Sequence, residues 1–174
     1  MRDMINKKGR WGVISLLVII SYLSFGVSAC SSIDCPVQNT VYTVYELRGA
    51  DEQKDTLRDT MFVFSRRNDG SDTLLFNAGI GLTSFALPIG YANPEDTLLF
   101  ILVNRPDYIV ADTVFIKKEN IPHFESVDCS ASFFHRLTDV RTTHNAIDAL
   151  TINKNFVDYD AQTAHFYIRF KNLR

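Results

Sequence analysis

A chain of 174 residues with 46% hydrophobic and 22% charged positions carries enough apolar surface to bury a core, which excludes wholesale disorder. Its 18 Lys/Arg stand against 20 Asp/Glu for a net charge of −2, and no basic run concentrates the positive charge. Nucleic acid is therefore a poor partner, since it calls for clustered Lys and Arg.

The first element lies at the N-terminus. Arg2, Lys7, Lys8 and Arg10 oppose a single acid, Asp3, and Trp11 to Ala29 then runs without a charge. A basic stretch, an apolar centre at Val13–Ile20 and small residues before a break describe a secretory signal. Val27-Ser28-Ala29-Cys30 reads as a bacterial lipobox, which predicts removal of residues 1–29 and lipid on Cys30. An uncleaved transmembrane helix is the rival, because a segment of this length at about 1.5 Å per residue nearly spans a bilayer core of roughly 30 Å. The positive flank suits both readings. An ordinary cleaved signal is the third reading. Ser21, Ser24, Gly26 and Ser28 thin the apolar end and favour cleavage. Two or more acyl chains on Cys30 would hold the protein stably on a membrane, where one gives only marginal binding. The expected address is the cell envelope, with the outer membrane favoured. Ser31 after the cysteine, in place of Asp, is compatible with that sorting.

Without residues 1–29, which hold four basic residues and one acid, 14 Lys/Arg and 19 Asp/Glu remain, a net charge of −5. Residues 30–40 read as a lipidated tether and residues 41–174 as a single β domain. With Cys30 spent on lipid, Cys35 and Cys129 form an even pair in an oxidising space, which predicts a disulfide. Closing so long a loop would contribute roughly 4 kcal/mol in the chain-entropy model. Two buried thiols are the alternative.

From Cys35 onward the dominant period is two. Val41–Leu47, Thr60–Ser65 and Thr73–Asn77 alternate and are rich in β-branched and aromatic residues, the signature of strands. Asp69-Gly70 between the second and third marks a hairpin turn. The same segment fails as a calcium loop, because Ser65 and Arg67 fall where carboxylates are required. Further strands are expected at Leu82–Leu87, Thr97–Val103, Ala111–Lys117, His123–Val127, Ser130–Arg136, Ala149–Ile152 and Ala164–Phe170. Pro88, Pro94, Pro106 and Pro122 are read as falling between them. Thr142–Ala149 could form a helical turn.

Asp-Thr recurs at Asp55, Asp59, Asp72, Asp96 and Asp112. The expected reason is a turn closed by the Asp side chain before a pleated run, with a metal site of stacked aspartates as the sharper alternative. No metal or cofactor is assigned. His123, His135, His144 and His165 lack zinc-motif spacing. Ser130, His135 and Asp139 can be drawn as a triad, but no strand-to-helix elbow presents the serine, so no catalytic residue is assigned. Gly79-Ile80-Gly81 reads as a strand connection, not a phosphate loop. Ser132-Phe133-Phe134-His135 is expected in the core, with a ligand groove as the alternative.

Cys35-Pro36, the Asp-Thr-Leu phrases, Phe85-Ala86-Leu87-Pro88, Cys129 in a strand and Asn145–Ile152 together resemble an uncharacterised family of small lipoproteins from Bacteroidetes-type bacteria. The resemblance covers roughly residues 30–172. It implies the envelope address and the Cys35–Cys129 pairing, and no catalyst. Ser130 departs from the glycine that members often carry after the second cysteine.

The fold expected is all-β, an antiparallel two-sheet sandwich of seven to nine strands, with a small barrel as the alternative. The function expected is a membrane-anchored envelope lipoprotein with a non-enzymatic structural or interaction domain, an envelope protein or glycan being its possible partner. The alternative is a glycan- or small-ligand-binding lipoprotein, using an inter-sheet cavity or a surface patch of Tyr42, Tyr45, Tyr91, Tyr108 and Tyr167.

Overall fold

Alternation of side chains governs the architecture from its first strand: β1 (Tyr42–Leu47) buries Thr43, Tyr45 and Leu47 and leaves the residues between them half-exposed. The computed structural model describes residues 40–67, 69–105, 108–126 and 129–172, all within the compact unit Cys35–Arg174. The segment expected to be a signal (1–29), Cys30, Cys35 and the expected tether up to residue 39 lie outside the described residues.

Nine more strands follow: β2 (Thr60–Arg66), β3 (Asp72–Gly79), β4 (Ser84–Pro88), β5 (Glu95–Arg105), β6 (Tyr108–His123), β7 (Ser132–Thr142), β8 (Ile147–Ile152), β9 (Phe156–Val157) and β10 (Phe166–Phe170). They form a four-stranded sheet ordered β4-β1-β10-β8 and a six-stranded sheet ordered β3-β2-β5-β6-β7-β9. The larger sheet curls as a half-barrel. The all-β two-sheet architecture is as expected, at ten strands, the added one being the two-residue β9. Among the described residues, all but one of the strand pairings are antiparallel. The exception joins the first strand to the last, Tyr45 opposite Phe166, so nearly the whole domain serves as the crossover that a parallel pair requires.

The sheets face each other across an aromatic core. The Tyr45 ring is stacked between Phe85 and Phe166, each at 4.8 Å, and Phe100 from the opposite sheet meets Tyr45 and Phe85 edge-on at 6.2 Å. Such pairs add about 0.5–1.5 kcal/mol each beyond the area they bury. Around them Met61, Val63, Leu87, Leu102, Ile116, Ile147 and Ile168 are fully enclosed.

Several local expectations are corrected. Ala111–Lys117 and His123 belong to one strand, β6, and Pro122 lies inside it, paired with Phe133 of β7. The proline is tolerated there because β6 beyond Lys118 pairs only with β7, β5 having begun at Glu95. Pro88 closes β4 instead of following it. Thr142–Ala149 makes no helical turn: β7 ends, His144 turns with φ 59°, and β8 starts at Ile147. The Asp69-Gly70 hairpin forms as expected, with Arg66 opposite Asp72 and Gly70 at φ 81°.

Candidate functional site

The two ends of the sandwich differ, and strand direction tells them apart. The chain enters β1 at Thr40 and Val41; β4 returns to that end, where Ile89 donates its N–H to the Val41 carbonyl at 3.2 Å. The hairpin tip joining β6 to β7, which carries Cys129, lies at this entry end, the side from which the expected tether would come. β1 and β10 both run toward the opposite end, where the loop after β1, the segment before β2 and the residues after β10 gather.

That far end holds a cleft of about 920 Å³, within the usual size range of ligand sites. Arg48, Arg58, Arg169 and Lys171 line it together with Asp55, Asp59 and Asp148. Most of these charges are held in place. Arg169 donates from Nε to Asp148 at 2.7 Å and from Nη1 to Glu52 at 3.1 Å. The Asp148 hydrogen bond, outweighing the cost of desolvation, raises the Arg169 pKa further. Arg48 donates to the Glu52 carbonyl at 2.8 Å and lies 4.3 Å from the centre of the Tyr167 ring. Asn104 donates to Asp59 at 2.6 Å, and Lys171 Nζ to the His144 carbonyl at 2.6 Å. Arg58 is exposed, with no ion-pair partner among the described residues. Fixed charges of both signs beside one uncommitted guanidinium suit a polar partner better than an apolar one.

The end where the chain enters β1 has a smaller hollow of about 210 Å³, lined by Thr40, Val41, Ile89, Tyr91, Ala131, Ser132, Phe133 and His135. Its floor is polar and committed. Asn120 donates from Nδ2 to the Tyr91 carbonyl, so its Oδ1 accepts from His135 Nδ1 at 2.8 Å. Burial, with Lys118 nearby, pushes the His135 pKa down to about 4. Lys118 occupies an inward position of β6 with its side chain fully enclosed, and its ammonium pairs with Asp96 at 2.7 Å. Asp96 also accepts the Gly90 N–H at 3.2 Å.

The sequence candidates are dispersed over this frame. His135 is buried against Asn120, while Asp139 is exposed and pairs with Arg141 at 3.8 Å. The extra residue Thr138, where β7 bulges against Lys117 and Lys118, shifts the alternation between them. His165 is fully buried and accepts the Val44 N–H on Nδ1 at 3.0 Å. His144 bonds the Ile147 carbonyl, and His123 stacks on Phe134 at 4.1 Å. Gly79 ends β3 and Gly81 donates to the Leu57 carbonyl, so that motif connects strands. Among the described residues, no three His, Cys, Asp or Glu side chains converge to hold a metal ion. Cys129 is half-buried and has a partner of its own.

Two expectations need correcting here. The tyrosines form no common patch: Tyr45 is in the core, Tyr42 and Tyr167 belong to the four-stranded sheet, and Tyr91 and Tyr108 lie at opposite ends. The Asp-Thr phrases do not share one role. Asp55 does close a turn, accepting the Thr56 N–H at 2.7 Å. Asp96 and Asp112 sit within strands, and Asp112 accepts the backbone N–H groups of Asn145, Ala146 and Ile147 at 2.6–2.7 Å. The cleft has no signature in the sequence, because its charges come from three distant segments and share no motif.

Residues 60–170 match the family model described as "Family of unknown function (DUF6452)". The match runs from the first residue of β2 to the last of β10. No curated protein matches the chain, and no solved structure does.

Proposed function

The chain belongs to the DUF6452 family of unknown function, and from that premise we propose that it is a membrane-anchored envelope lipoprotein whose β-sandwich is an interaction module and not a catalyst. The cleft at the far end carries this reading. It gathers charged side chains from the chain segments around β1, β2 and β10 and leaves the Arg58 guanidinium available. The anchor rests on Val27-Ser28-Ala29-Cys30 behind a charge-free run. Four interior ionisable groups are committed to the scaffold: Asp112 to a loop, Lys118 to Asp96, His135 to Asn120 and His165 to β1. Groups so engaged hold geometry instead of meeting a substrate.

The partner that suits the cleft is an envelope protein presenting a polar loop. Crosslinking in intact cells tests this, with a photoreactive residue placed at Ala50, which is exposed and lines the cleft. A discrete adduct that is lost in Lys171→Ala, but kept when Tyr108 is replaced, supports the assignment. Adducts that are indifferent to Lys171, or turnover of a cell-wall substrate abolished at the cleft, would overturn it. The cleft volume also favours a second reading, a small polar ligand such as a glycan. A glycan that raises the melting temperature in wild type but not in Arg58→Ala would select it.

A further inference from the structure

At the tether-side end, exposed aromatic rings surround the tip of the β6–β7 hairpin. Tyr91 (64% exposed) stacks on Phe133 at 4.8 Å, on one face of β7. Tyr159 (41% exposed) meets Phe134 edge-on at 5.1 Å, on the other face, and donates from its hydroxyl to Ser132 at 3.0 Å. Phe124 (66% exposed) follows the last residue of β6, at the tip. Tyr91 and Tyr159 are backed by the rings of β7. Leaving them in water costs apolar solvation that a soluble turn would avoid.

We infer that this tip rests on the lipid surface, with Phe124 and Tyr159 at headgroup depth, so that the charged cleft is held facing away from the membrane. The inference rests on the anchored reading above, and chain length supplies the argument. From Cys30 to Thr40 the tether spans at most about 35 Å when fully extended. If Cys35 is bridged to Cys129, the five residues left reach only about 17 Å, and they are fastened to the same loop that bears Phe124. An anchor that short keeps this end, and no other, against the bilayer. Tyr and Trp favour the membrane–water interface because their rings are apolar and their edges polar. Contact is shallow, because His123 and Glu125, paired at 2.9 Å, flank Phe124, and Asp158 and Asp160 flank Tyr159.

The full chain carries one Trp, Trp11, within the segment expected to be removed, so a single tryptophan introduced into the mature protein is a unique reporter. Phe124→Trp and Tyr159→Trp would each be expressed as the full chain and reconstituted in phosphatidylethanolamine–phosphatidylglycerol vesicles containing brominated lipid. Tyr108→Trp, at the far end and of similar exposure (45%), is the control. The expected result is a blue-shifted, lipid-quenched emission at 124 and 159, with an emission at 108 that only aqueous iodide quenches. If the protein is acylated and floats with vesicles, yet all three reporters behave alike, the docking inference is overturned and the anchored reading stands. That outcome would also be read if a protein or glycan, not lipid, covers the tip. If no acylated species forms and nothing floats, both fail together.

Discussion

The carboxylate of Asp112, the fifth residue of β6, accepts the backbone N–H of Ile147 at 2.6 Å. The same carboxylate takes the N–H groups of Asn145 and Ala146 at 2.7 Å and the hydroxyl of Thr143. One side chain thus organises the whole β7–β8 connection, placing β8 and therefore the Asp148 edge of the cleft. Burial alone would raise the Asp112 pKa; the hydroxyl and the three N–H donors outweigh it and the pKa is lowered.

Asp112→Ala leaves buried donors without an acceptor, each worth about 1–3 kcal/mol. The expected loss is about 4 kcal/mol by urea denaturation, with Asp112→Asn losing less because one acceptor oxygen remains. A loss below about 1 kcal/mol would show that the loop holds itself.

The interior ion pair behaves asymmetrically. Lys118 is fully enclosed against Asp96, so Asp96→Ala strands a buried ammonium and is expected to cost about 3–5 kcal/mol. Replacing both partners together, as Asp96→Leu with Lys118→Met, should recover most of that stability. Equal losses for the single and double variants in chemical denaturation would contradict this.

Acid sensitivity follows from the buried histidines. Desolvation, the leading cause at both sites, depresses His135 to about 4 and lowers His165. A base with a depressed folded pKa is neutral when folded and takes its proton on unfolding. Its contribution is therefore whole above the unfolded value of about 6.5 and declines as pH falls toward the folded one. Melting temperature should fall from pH 6.5 to 4, and His135→Gln should flatten the part of that slope due to His135. A wild-type melting temperature constant over that range would refute the assignment.

Gly79 is fixed by packing. A Cβ there would overlap Phe76 Cε1 and lie 2.6 Å from Leu82 Cδ1, so Gly79→Ala is expected to cost about 1–3 kcal/mol through displacement of these side chains. Thermal melting of Gly79→Ala beside exposed Gln162→Ala measures it.

Much of this fold was legible in the sequence, and the reason is physical. Alternation in Tyr42–Leu47 and Thr60–Arg66 records a face turned to the core, and Asp69-Gly70 records a turn that only a few residues can make. The long strand β6 was harder to read because Pro122 ordinarily breaks a ladder, and its tolerance depends on β5 starting short of it. Lys118 was opaque for a related reason: its burial follows from Asp96 in another strand, and no local pattern encodes that. Asp112 looked like every other Asp-Thr, because its partners lie more than thirty residues away. The cleft is illegible in the same sense, as Arg48, Arg58 and Lys171 meet only once β1 and β10 pair.

The mass of the native protein's N-terminal peptide, isolated from membranes, tests the central claim most directly. The account predicts a peptide beginning at Cys30 and carrying fatty acyl groups, absent in Cys30→Ala. An unmodified peptide beginning at Met1, from a protein recovered in the soluble fraction, would contradict it.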